Sequence, residues 1–428
     1  MRARARHRGA PSRGFLRARD SRRRIPRVPA ALRAVRGGVV VSALAGGLFV
    51  VIEVEPGVDP RAEFERAWEN GARVVPLARS LPAAARASIV AQLGRVCCEP
   101  AAGVVLPTSG SGGTPRLVDL SIDAMRASAE LGARVIPFGE GDVWHSSLAP
   151  SHVGGMMILM RARFLGGAVR FGAQPRAWRD LEGSTHVSLV AAQLARLLED
   201  EAPVPSSLRA VMLGGGPSPQ TLRDAAIARG VPLFATYGLT ETSSQVATGA
   251  LAHGDAATLA GAPLPGVSIA VDAVTGEILV DGPTLARGEF AGDALVPLAR
   301  PFATRDAGFL DERGRLHVVG RLDAMFISGG KNIHPEEIER ALCALPFVRA
   351  ACVVGVPDAK WGMRPVAFVD LAAAPRGRSI RESLFETLER HLVPDAIHAM
   401  PADEAARMKP SRAALSARLA SGERFDAL

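Results

Sequence analysis

A loop of small hydroxyl and glycine residues follows an apolar, strand-like segment at residues 103–106. Glycines let backbone N–H groups approach a phosphate closely, and hydroxyls and a cation can complete such a cradle. The spacing matches neither the Walker loop nor the G-x-G-x-x-G dinucleotide turn, and an ordinary Ser/Gly turn stays open as the alternative. The candidate phosphate-binding residues are Thr108, Ser109, Gly110, Ser111, Gly112, Gly113, Thr114 and Arg116.

Two further groups of small and polar residues lie where strand-like segments end. One is Gly214, Gly215 and Gly216, and the other runs from Tyr237 and Gly238 through Thr240 and Glu241. In α/β proteins, ligands bind at the carboxyl ends of the strands. Both groups are therefore predicted to line one ligand site.

The elements that must position these residues alternate along the chain. Residues 61–70, 83–93, 121–131, 191–201 and 219–229 have helical patterns, with Ser121 as an N-cap, and residues 72–77, 185–190, 208–213 and 231–236 have strand patterns. Such alternation predicts an α/β fold with mostly parallel sheets flanked by helices.

The pattern changes after residue 261 to short strands with turns, including a predicted hairpin turn at 311–314. Helices near 335–345 and 380–392 and strands at 350–355 and 364–370 then predict a small α+β unit. We predict a basic, disordered arm at 1–36, a large N-terminal core with a small β-subdomain at 37–321, and a small mobile C-terminal domain at 322–428.

The net charge of +8 comes from the N-terminal arm. Residues 1–36 contain 13 of the 51 Lys and Arg residues and one of the 43 acids, so the remainder carries a net charge of −4. An Arg-rich arm can bind nucleic acid or anionic lipid. Since the basicity is confined to the arm, we do not expect nucleic-acid binding from the folded part of the chain.

An uncharged stretch at residues 37–52 follows the arm, an order that also occurs in secretory signals. The stretch is short for a membrane span, and its two apolar clusters suit two buried strands. The four cysteines form neither a disulfide framework nor a C-x-x-C metal pattern. We expect a cytoplasmic protein without a stable membrane span, with export as the alternative.

The ordered motifs resemble the adenylate-forming superfamily of acyl- and aryl-CoA synthetases, peptide-synthetase adenylation domains and luciferases. The resemblance extends from about residue 62 to residue 419. Besides the glycine loop, it depends on the motifs at 237–242, 305–306, 320–323, 329–339 and 409–412. Three stretches, at 151–161, 185–190 and 213–245, resemble the o-succinylbenzoate–CoA ligases of menaquinone biosynthesis.

The resemblance implies an ATP-dependent ligase that adenylates a carboxylic acid and transfers the acyl group to CoA. The glycine loop would hold the β- and γ-phosphates, Glu241 would bind Mg²⁺ and Thr240 would contact the α-phosphate. Lys409 would bridge the attacking carboxylate and the ribose-phosphate oxygens. Asp306 would accept both ribose hydroxyls, and Tyr237 would stack on adenine. Gly214, Gly215, Gly216, Gly238 and Arg321 are assigned to the same nucleotide site.

The resemblance also implies a moving C-terminal domain. Asp323 would be the hinge residue between the two half-reactions. The loop with Gly329 and Gly330 would then line the tunnel for the pantetheine arm of CoA. The sequence leaves the oligomeric state open, and a homo-oligomer is one option.

The chain departs from the family pattern at several motif positions. Arg116 stands where lysine is usual, Leu117 where glycine is usual, and Met408 precedes Lys409 in place of glycine. Gly113 and Arg305 are further departures. Because the ionic positions keep their charge, we expect an altered rate with the function retained.

The acid substrate is predicted from Arg161, which ends the apolar run 156–160. An unpaired buried guanidinium is costly, so it needs a partner; a surface salt bridge or a snorkelling side chain is the alternative. Arginine can pair with a carboxylate bidentately, and o-succinylbenzoate keeps one carboxylate after the other is activated. By resemblance, His152, Ser188 and Ser243 would line the same pocket. Another acyl- or aryl-CoA ligase, or an enzyme that loads a carrier protein, remains the alternative. A serine hydrolase is disfavoured, because no G-x-S-x-G motif occurs.

Overall fold

The computed structural model describes residues 34–36, 39–44, 48–55, 57–108, 115–374, 379–405 and 410–428. The predicted arm at 1–36 therefore lies almost wholly outside the described residues, and so do Ser109 to Thr114 and Lys409. Within the described part, no helix is both long and apolar enough to cross a membrane.

The secondary structure follows the chain in three groups. The first group is β1 (Ala34–Arg36), β2 (Val39–Leu44), β3 (Phe49–Val54), α1 (Arg61–Glu69), β4 (Arg73–Ala78), α2 (Ala83–Leu93), β5 (Gly103–Thr108), β6 (Arg116–Ser121) and α3 (Ile122–Ala133). The second is β7 (Val143–Ser146), α4 (Val153–Leu165), β8 (Ala168–Phe171), β9 (His186–Leu189), α5 (Ala191–Leu198), β10 (Ala210–Leu213), α6 (Gln220–Ala228), β11 (Leu233–Leu239), β12 (Ser244–Ala250), β13 (Leu259–Pro263), β14 (Ser268–Val271), β15 (Glu277–Asp281), β16 (Gly288–Ala291), β17 (Ala294–Pro297), β18 (Phe302–Leu310) and β19 (Leu316–Arg321). The third is β20 (Phe326–Ser328), β21 (Lys331–Ile333), α7 (Pro335–Cys343), β22 (Val348–Asp358), β23 (Gly362–Leu371), α8 (Ile380–Thr387), β24 (Ala396–Ala399), α9 (Ala402–Ala405) and α10 (Arg412–Ala420).

Eight of the described strands form a first sheet in the order β1-β2-β3-β4-β5-β6-β16-β17. Its β3, β4 and β5 are parallel, and the other neighbours are antiparallel. Alternate residues of β3 enter two apolar clusters, Ile52 and Val54 on one face and Phe49 and Val51 on the other. The uncharged stretch at 37–52 thus contains strands, as its two apolar clusters predicted.

A second sheet, of eleven strands within the described residues, has the order β14-β15-β18-β19-β13-β12-β11-β10-β9-β7-β8. The five strands β8, β7, β9, β10 and β11 are parallel to one another, whereas the rest are joined in antiparallel pairs. The α/β class is confirmed. The sheets are mixed rather than mostly parallel, because hairpin connections such as the turn at 311–314 return the chain antiparallel to itself.

The described strands after residue 325 form a third sheet, β21-β20-β23-β22, with β24 beside β23. Its core is closed by α7 and α8, whose buried residues include Ile338, Leu342 and Leu384. The predicted boundary at 321/322 falls between β19 and β20 and stays a prediction.

A local signal in the sequence produces the predicted N-cap of α3. The hydroxyl of Ser121 accepts a hydrogen bond from the Ala124 N–H at 2.9 Å, so it caps α3 as predicted.

A buried ion cluster ties β6 to β4, two strands away in the same sheet, and to Arg287, which immediately precedes β16. Asp119 on β6 is fully buried and lies 3.0 Å from Arg73 Nε and 3.2 Å from Arg287 Nη1. Burial raises the pKa of the Asp119 carboxyl, while the two guanidinium groups favour its charged form. These bonds fix the strand whose first residue is Arg116.

Candidate active site

A cleft of about 1770 Å³ lies between the strand ends of the core and the C-terminal unit. Most of the described residues that the sequence assigned to a site line this cleft. They are Thr108, Arg116, His152, Arg161, Ser188, Gly214, Gly215, Gly216, Tyr237, Gly238, Thr240, Glu241, Asp306, Arg321 and Asp323.

Three of the predicted site residues that the structure describes do not line the cleft. Ser243 was expected in the acyl pocket, but it is fully buried behind the cleft wall, where Ser244 and Gln245 face the cleft. Gly329 and Gly330 lie in the turn that joins β20 to β21. That turn is held by a hydrogen bond from the Gly329 N–H to the Trp361 carbonyl at 2.9 Å.

At one end of the cleft, a single arginine joins two carboxylates. Thr108 and Arg116 are paired across the β5–β6 ladder, so the two strands bring the ends of the glycine loop together. Arg116 Nη2 donates to Glu241 Oε1 at 2.9 Å, and Nη1 donates to Glu289 Oε1 at 2.6 Å. The Glu241 side chain is 4% exposed and that of Arg116 is 43% exposed. We call Arg116, Glu241 and Glu289 the phosphate end.

A strained turn places Glu241. The ladder between β11 and β12 shifts register at Tyr237 and Gly238, and a Cβ at Gly238 would lie 1.5 Å from the Ser244 carbonyl oxygen. Ser243 and Ser244 have φ values of 52° and 79°, a left-handed conformation that non-glycine residues rarely adopt. The Ser128 hydroxyl donates to the Ser243 carbonyl at 2.7 Å and anchors the turn to α3. Such strain persists only where the surrounding structure requires it, and it concentrates at functional sites.

A chain of polar groups joins the nucleotide-site candidates to the predicted hinge. The Tyr237 hydroxyl donates to Asp306 Oδ2 at 2.7 Å, and Arg321 Nη1 lies 3.1 Å from Asp306 Oδ1. Arg321 Nη2 also lies 2.7 Å from Asp323 Oδ2. Burial and the Asp306 charge raise the pKa of Tyr237 well above its ordinary value, so its hydroxyl stays a donor. The Arg321 guanidinium lowers the pKa of Asp323.

At the opposite end of the cleft, helix α4 presents a buried arginine. Arg161 is 4% exposed, and its Nη2 donates to Gln245 Oε1 at 3.0 Å. Its guanidinium carbon lies 5.1 Å from the centroid of the Trp144 ring, an arrangement that favours the cation. No carboxylate of the described residues pairs with it, and burial lowers the pKa of Arg161 to about 10. We call Arg161, Gln245 and Trp144 the acyl end.

A neutral histidine lies behind the acyl end. The His186 ring stacks on Trp144 with centroids 5.0 Å apart, and its Nε2 lies 3.0 Å from the Pro137 carbonyl oxygen. A carbonyl can only accept, so Nε2 carries the proton. Burial lowers the pKa of His186 to about 4, which leaves Arg161 as the cation in this wall. His152 lies just before α4 and lines the cleft, and partial desolvation of its imidazole lowers its pKa as well.

Three side chains of this site were not assigned by the sequence. Gln245 lies within a recognised motif, but nothing in the motif indicates that its carbonyl oxygen meets Arg161. Trp144 and Glu289 lie on β7 and β16, far along the chain from their partners. Only the sheet order brings them beside Arg161 and Arg116, so no local signal could have identified them.

The comparisons with known proteins agree with this architecture. The AMP-binding enzyme family matches residues 96–289, and the AMP-binding enzyme C-terminal domain family matches residues 337–407. The 2-succinylbenzoate–CoA ligase of Salmonella typhimurium is 39% identical over 69% of this chain and 64% of its own length. That of Geobacillus kaustophilus is 34% identical over 74% of this chain and 69% of its own length.

Solved structures give the same result. An arginine-to-lysine variant of Escherichia coli MenE with bound OSB-AMS has a TM-score of 0.73 at 31% identity, over 83% of this chain and 84% of that one. The o-succinylbenzoate CoA synthetase of Bacillus subtilis, in complex with the acyl-adenylate intermediate OSB-AMP, has a TM-score of 0.65 at 27% identity, over 85% of this chain and 81% of that one. The chain belongs to the family of adenylate-forming, AMP-binding enzymes. It spans 64% and 57% of the lengths of the Salmonella and Escherichia coli ligases that it matches.

Proposed function

We propose that this protein is an ATP-dependent acid–thiol ligase that adenylates o-succinylbenzoate and transfers the acyl group to CoA. The observation that carries the choice of acid is Arg161, a buried cation on the cleft wall that no carboxylate of the described residues neutralises. Removing a charge from water without a partner is costly. A ligand that brings its own carboxylate to this position offsets that cost.

o-Succinylbenzoate has two carboxylates with separate tasks. The succinyl carboxylate is the one to be activated, and the ring carboxylate is left for recognition at the acyl end. Gln245 fixes one nitrogen of the Arg161 fork, and the Trp144 face supports the guanidinium plane. Arginine held in this way pairs with a planar carboxylate through two parallel hydrogen bonds. Ser188 and His152 would complete the pocket wall.

The phosphate end suits the triphosphate of ATP together with Mg²⁺. Mg²⁺ prefers oxygen ligands, and in nucleotide sites one or two carboxylates usually act with phosphate oxygens. Glu241 supplies such a carboxylate on the cleft wall, and no group of three His, Cys, Asp or Glu side chains among the described residues could hold a metal alone. The donor set therefore fits a metal that arrives with the nucleotide. When bound, the ion would neutralise charge on the leaving pyrophosphate.

In the first half-reaction, a substrate carboxylate oxygen attacks the α-phosphorus and the bond to the β-phosphate oxygen breaks. Arg116 would leave Glu241 and meet the phosphates, while Thr240 would contact the α-phosphate and Lys409 the attacking carboxylate. Asp306 would accept the ribose hydroxyls, with Tyr237 and Arg321 holding its oxygens in place. Preorganised charges of this kind are the main source of catalysis in phosphoryl chemistry.

In the second half-reaction, the CoA thiol attacks the acyl carbon, loses its proton, and displaces AMP. We propose that the C-terminal unit, residues 322–428, turns about Asp323 between the two steps. Gly329 and Gly330 would then line the path of the thiol. Because ATP and CoA are cytoplasmic metabolites, we place the reaction in the cytoplasm.

The decisive experiment is ATP–pyrophosphate exchange with the full chain and a panel of carboxylic acids. We expect o-succinylbenzoate to give the highest kcat/KM and its analogue without the ring carboxylate, 4-oxo-4-phenylbutanoate, to be much poorer. Addition of CoA should then release AMP and form the thioester. Highest exchange with a monocarboxylate would replace the acid assignment by another acyl- or aryl-CoA ligase. Transfer to a carrier protein but not to CoA would favour a loading enzyme.

A further inference from the structure

Helix α7 of the C-terminal unit contacts strand β19 of the core through two polar side chains. Arg340 Nη1 donates to the Val319 carbonyl oxygen at 2.8 Å. One turn earlier on the same helix, Glu336 lies against Gly320, where an added Cβ would be 2.5 Å from Glu336 Oε2. The two side chains therefore hold the C-terminal unit against the core at a place where β19 has no side chain.

The same helix also fixes the chain that follows Lys409. Arg412 Nη2 lies 3.2 Å from Glu336 Oε1 and 2.7 Å from Glu339 Oε1, and Arg412 Nε donates to the Val353 carbonyl at 2.9 Å. Pro410 and Ser411, just before Arg412, line the same cleft as Asp306 and Glu241. The contact between α7 and β19 thus helps to fix Pro410 and Ser411 beside the cleft.

The contact between α7 and β19 includes unfavourable contributions that would be relieved if the two elements separated. Glu336 Oε2 is buried without a hydrogen-bond partner among the described residues, which costs about 1–3 kcal/mol. Arg223 of the core and Arg340 are two cations that line the same cleft, and burial lowers the pKa of both. Separation of the two units would solvate Glu336 and Arg340. A contact with these opposing contributions can form and break during each turnover.

We infer that Glu336 and Arg340 are positioning residues that hold the C-terminal unit in the orientation for acyl-adenylate formation and release it for thioester formation. This inference rests on the proposed function. The orientation follows from the cleft, since Pro410 and Ser411 face it whereas Gly329 and Gly330 do not. Both side chains line the cleft, and the contacts of each with β19 give it a positioning role.

The first test replaces the donor and keeps the packing, in the variant Arg340→Met. We expect ATP–pyrophosphate exchange to fall by about tenfold, the scale of one hydrogen bond from a charged group. Thioester formation from supplied acyl adenylate and CoA should stay within about twofold of the wild type, because the reoriented unit does not use this contact. Arg349→Met is the matched control, since Arg349 pairs with Asp370 inside the C-terminal unit at 3.1 Å, and it should leave exchange unchanged.

The second test breaks the same contact from the core side. Gly320→Ala places a methyl group against Glu336, so it should reproduce the selective loss of pyrophosphate exchange. Gly320 does not have a left-handed φ, so alanine adds no backbone strain there. The double variant should lose no more than the worse single variant, because both changes act on one contact. Equal loss in both half-reactions, in either single variant, would overturn the inference.

A third measurement needs no substrate. Hydrogen–deuterium exchange of peptides from residues 316–321 and 335–343 should be faster in Arg340→Met than in the Arg349→Met control. Unchanged hydrogen–deuterium exchange rates in both peptides would also overturn the inference. If the wild type forms no acyl adenylate with any acid of the panel, the proposed function fails. In that case this measurement still decides whether α7 and β19 are held together by Arg340.

Discussion

The two ends of the cleft each contain an arginine, and the two arginines differ in their exposure to solvent and in the charge of their partners. At the phosphate end, Arg116 is 43% exposed and bonded to both Glu241 and Glu289. At the acyl end, Arg161 is 4% exposed, and its partners among the described residues are the neutral Gln245 and the Trp144 face. Residue type alone does not distinguish the two sites.

The difference in exposure and partners between the two arginines indicates which kind of ligand each end of the cleft suits. A half-exposed cation between two carboxylates can exchange its partners at modest cost, because water solvates the charges when an ion pair separates. A desolvated cation without a counter-ion gains most from a ligand that supplies the missing charge. The phosphate end therefore suits a ligand that arrives with its own cation. The acyl end selects an anion.

The largest effect is expected from a substitution at the acyl end. Arg161→Ala should weaken the use of o-succinylbenzoate by about 2–4 kcal/mol, which is roughly 30- to 1000-fold in kcat/KM, since a buried charge pair loses one partner. The use of 4-oxo-4-phenylbutanoate should be nearly unaffected. Arg163→Ala is the matched control, because Arg163 on the same helix pairs with Glu65 at 2.5 Å. Equal losses for both acids would mean that Arg161 has only a structural role.

The next largest effect is expected from a substitution at the phosphate end. Arg116→Met should raise the KM for ATP by about tenfold, because one charged hydrogen-bond donor to the phosphates is lost. Unlike the loss at Arg161, this loss should be the same for every acid that the enzyme activates. Steady-state exchange at varied ATP with two acids measures it. A loss confined to o-succinylbenzoate would contradict the division of the cleft into two ends.

A smaller change sharpens the comparison. Gln245→Leu removes the acceptor that holds Arg161 Nη2 and keeps the volume of the side chain. We expect o-succinylbenzoate use to fall by about three- to tenfold, the net value of one hydrogen bond, with 4-oxo-4-phenylbutanoate spared. Competition between the two acids in a single reaction gives the ratio directly. A shift towards o-succinylbenzoate would show that Gln245 opposes its binding.

The last prediction concerns the stability of the fold and depends on the neutral histidine behind the acyl end. The pKa of His186 in the folded protein is about 4, below its ordinary value of 6.5, so the unfolded chain binds the proton first as the pH falls. Stability should therefore decline between about pH 6.5 and pH 4 and be unaffected by this group above that window. In His186→Gln the decline between pH 7 and pH 5 should be smaller by about 2 kcal/mol. Urea unfolding at the two pH values measures this, and an unchanged pH dependence would contradict the assignment.

Much of the fold was predictable because its signals are local. The periodicity of residues 83–93 predicted α2 with its observed bounds, and the sequence predicted Ser121 as the N-cap of α3, where its hydroxyl accepts from the Ala124 N–H. The mixed pairing of the sheets was not predictable. Strand β6 lies beside β16, and Val118 pairs with Glu289, although about 170 residues separate them in the chain.

The candidate site shows the same division between local and distant information. Ordered motifs placed Glu241, Asp306 and Arg161 in one cleft. They could not show that Arg116 reaches Glu241, since that contact depends on the meeting of β6 with the turn after β11. Ser243 was expected to face the cleft but is buried, because left-handed residues at 243 and 244 turn its side chain away and bring Gln245 forward.

The strained turn also has a meaning for enzyme engineering. Its two left-handed serines cost about 1–3 kcal/mol each, and the close approach at Gly238 leaves no room for a longer or looser segment. Glu241 and Gln245 are consequently carried at a fixed spacing on one rigid piece of chain. A designer who wants this scaffold to accept a different acid should leave residues 238–244 untouched and redesign the wall around Arg161. A change of turn length would move the ATP chemistry and the acid selection together.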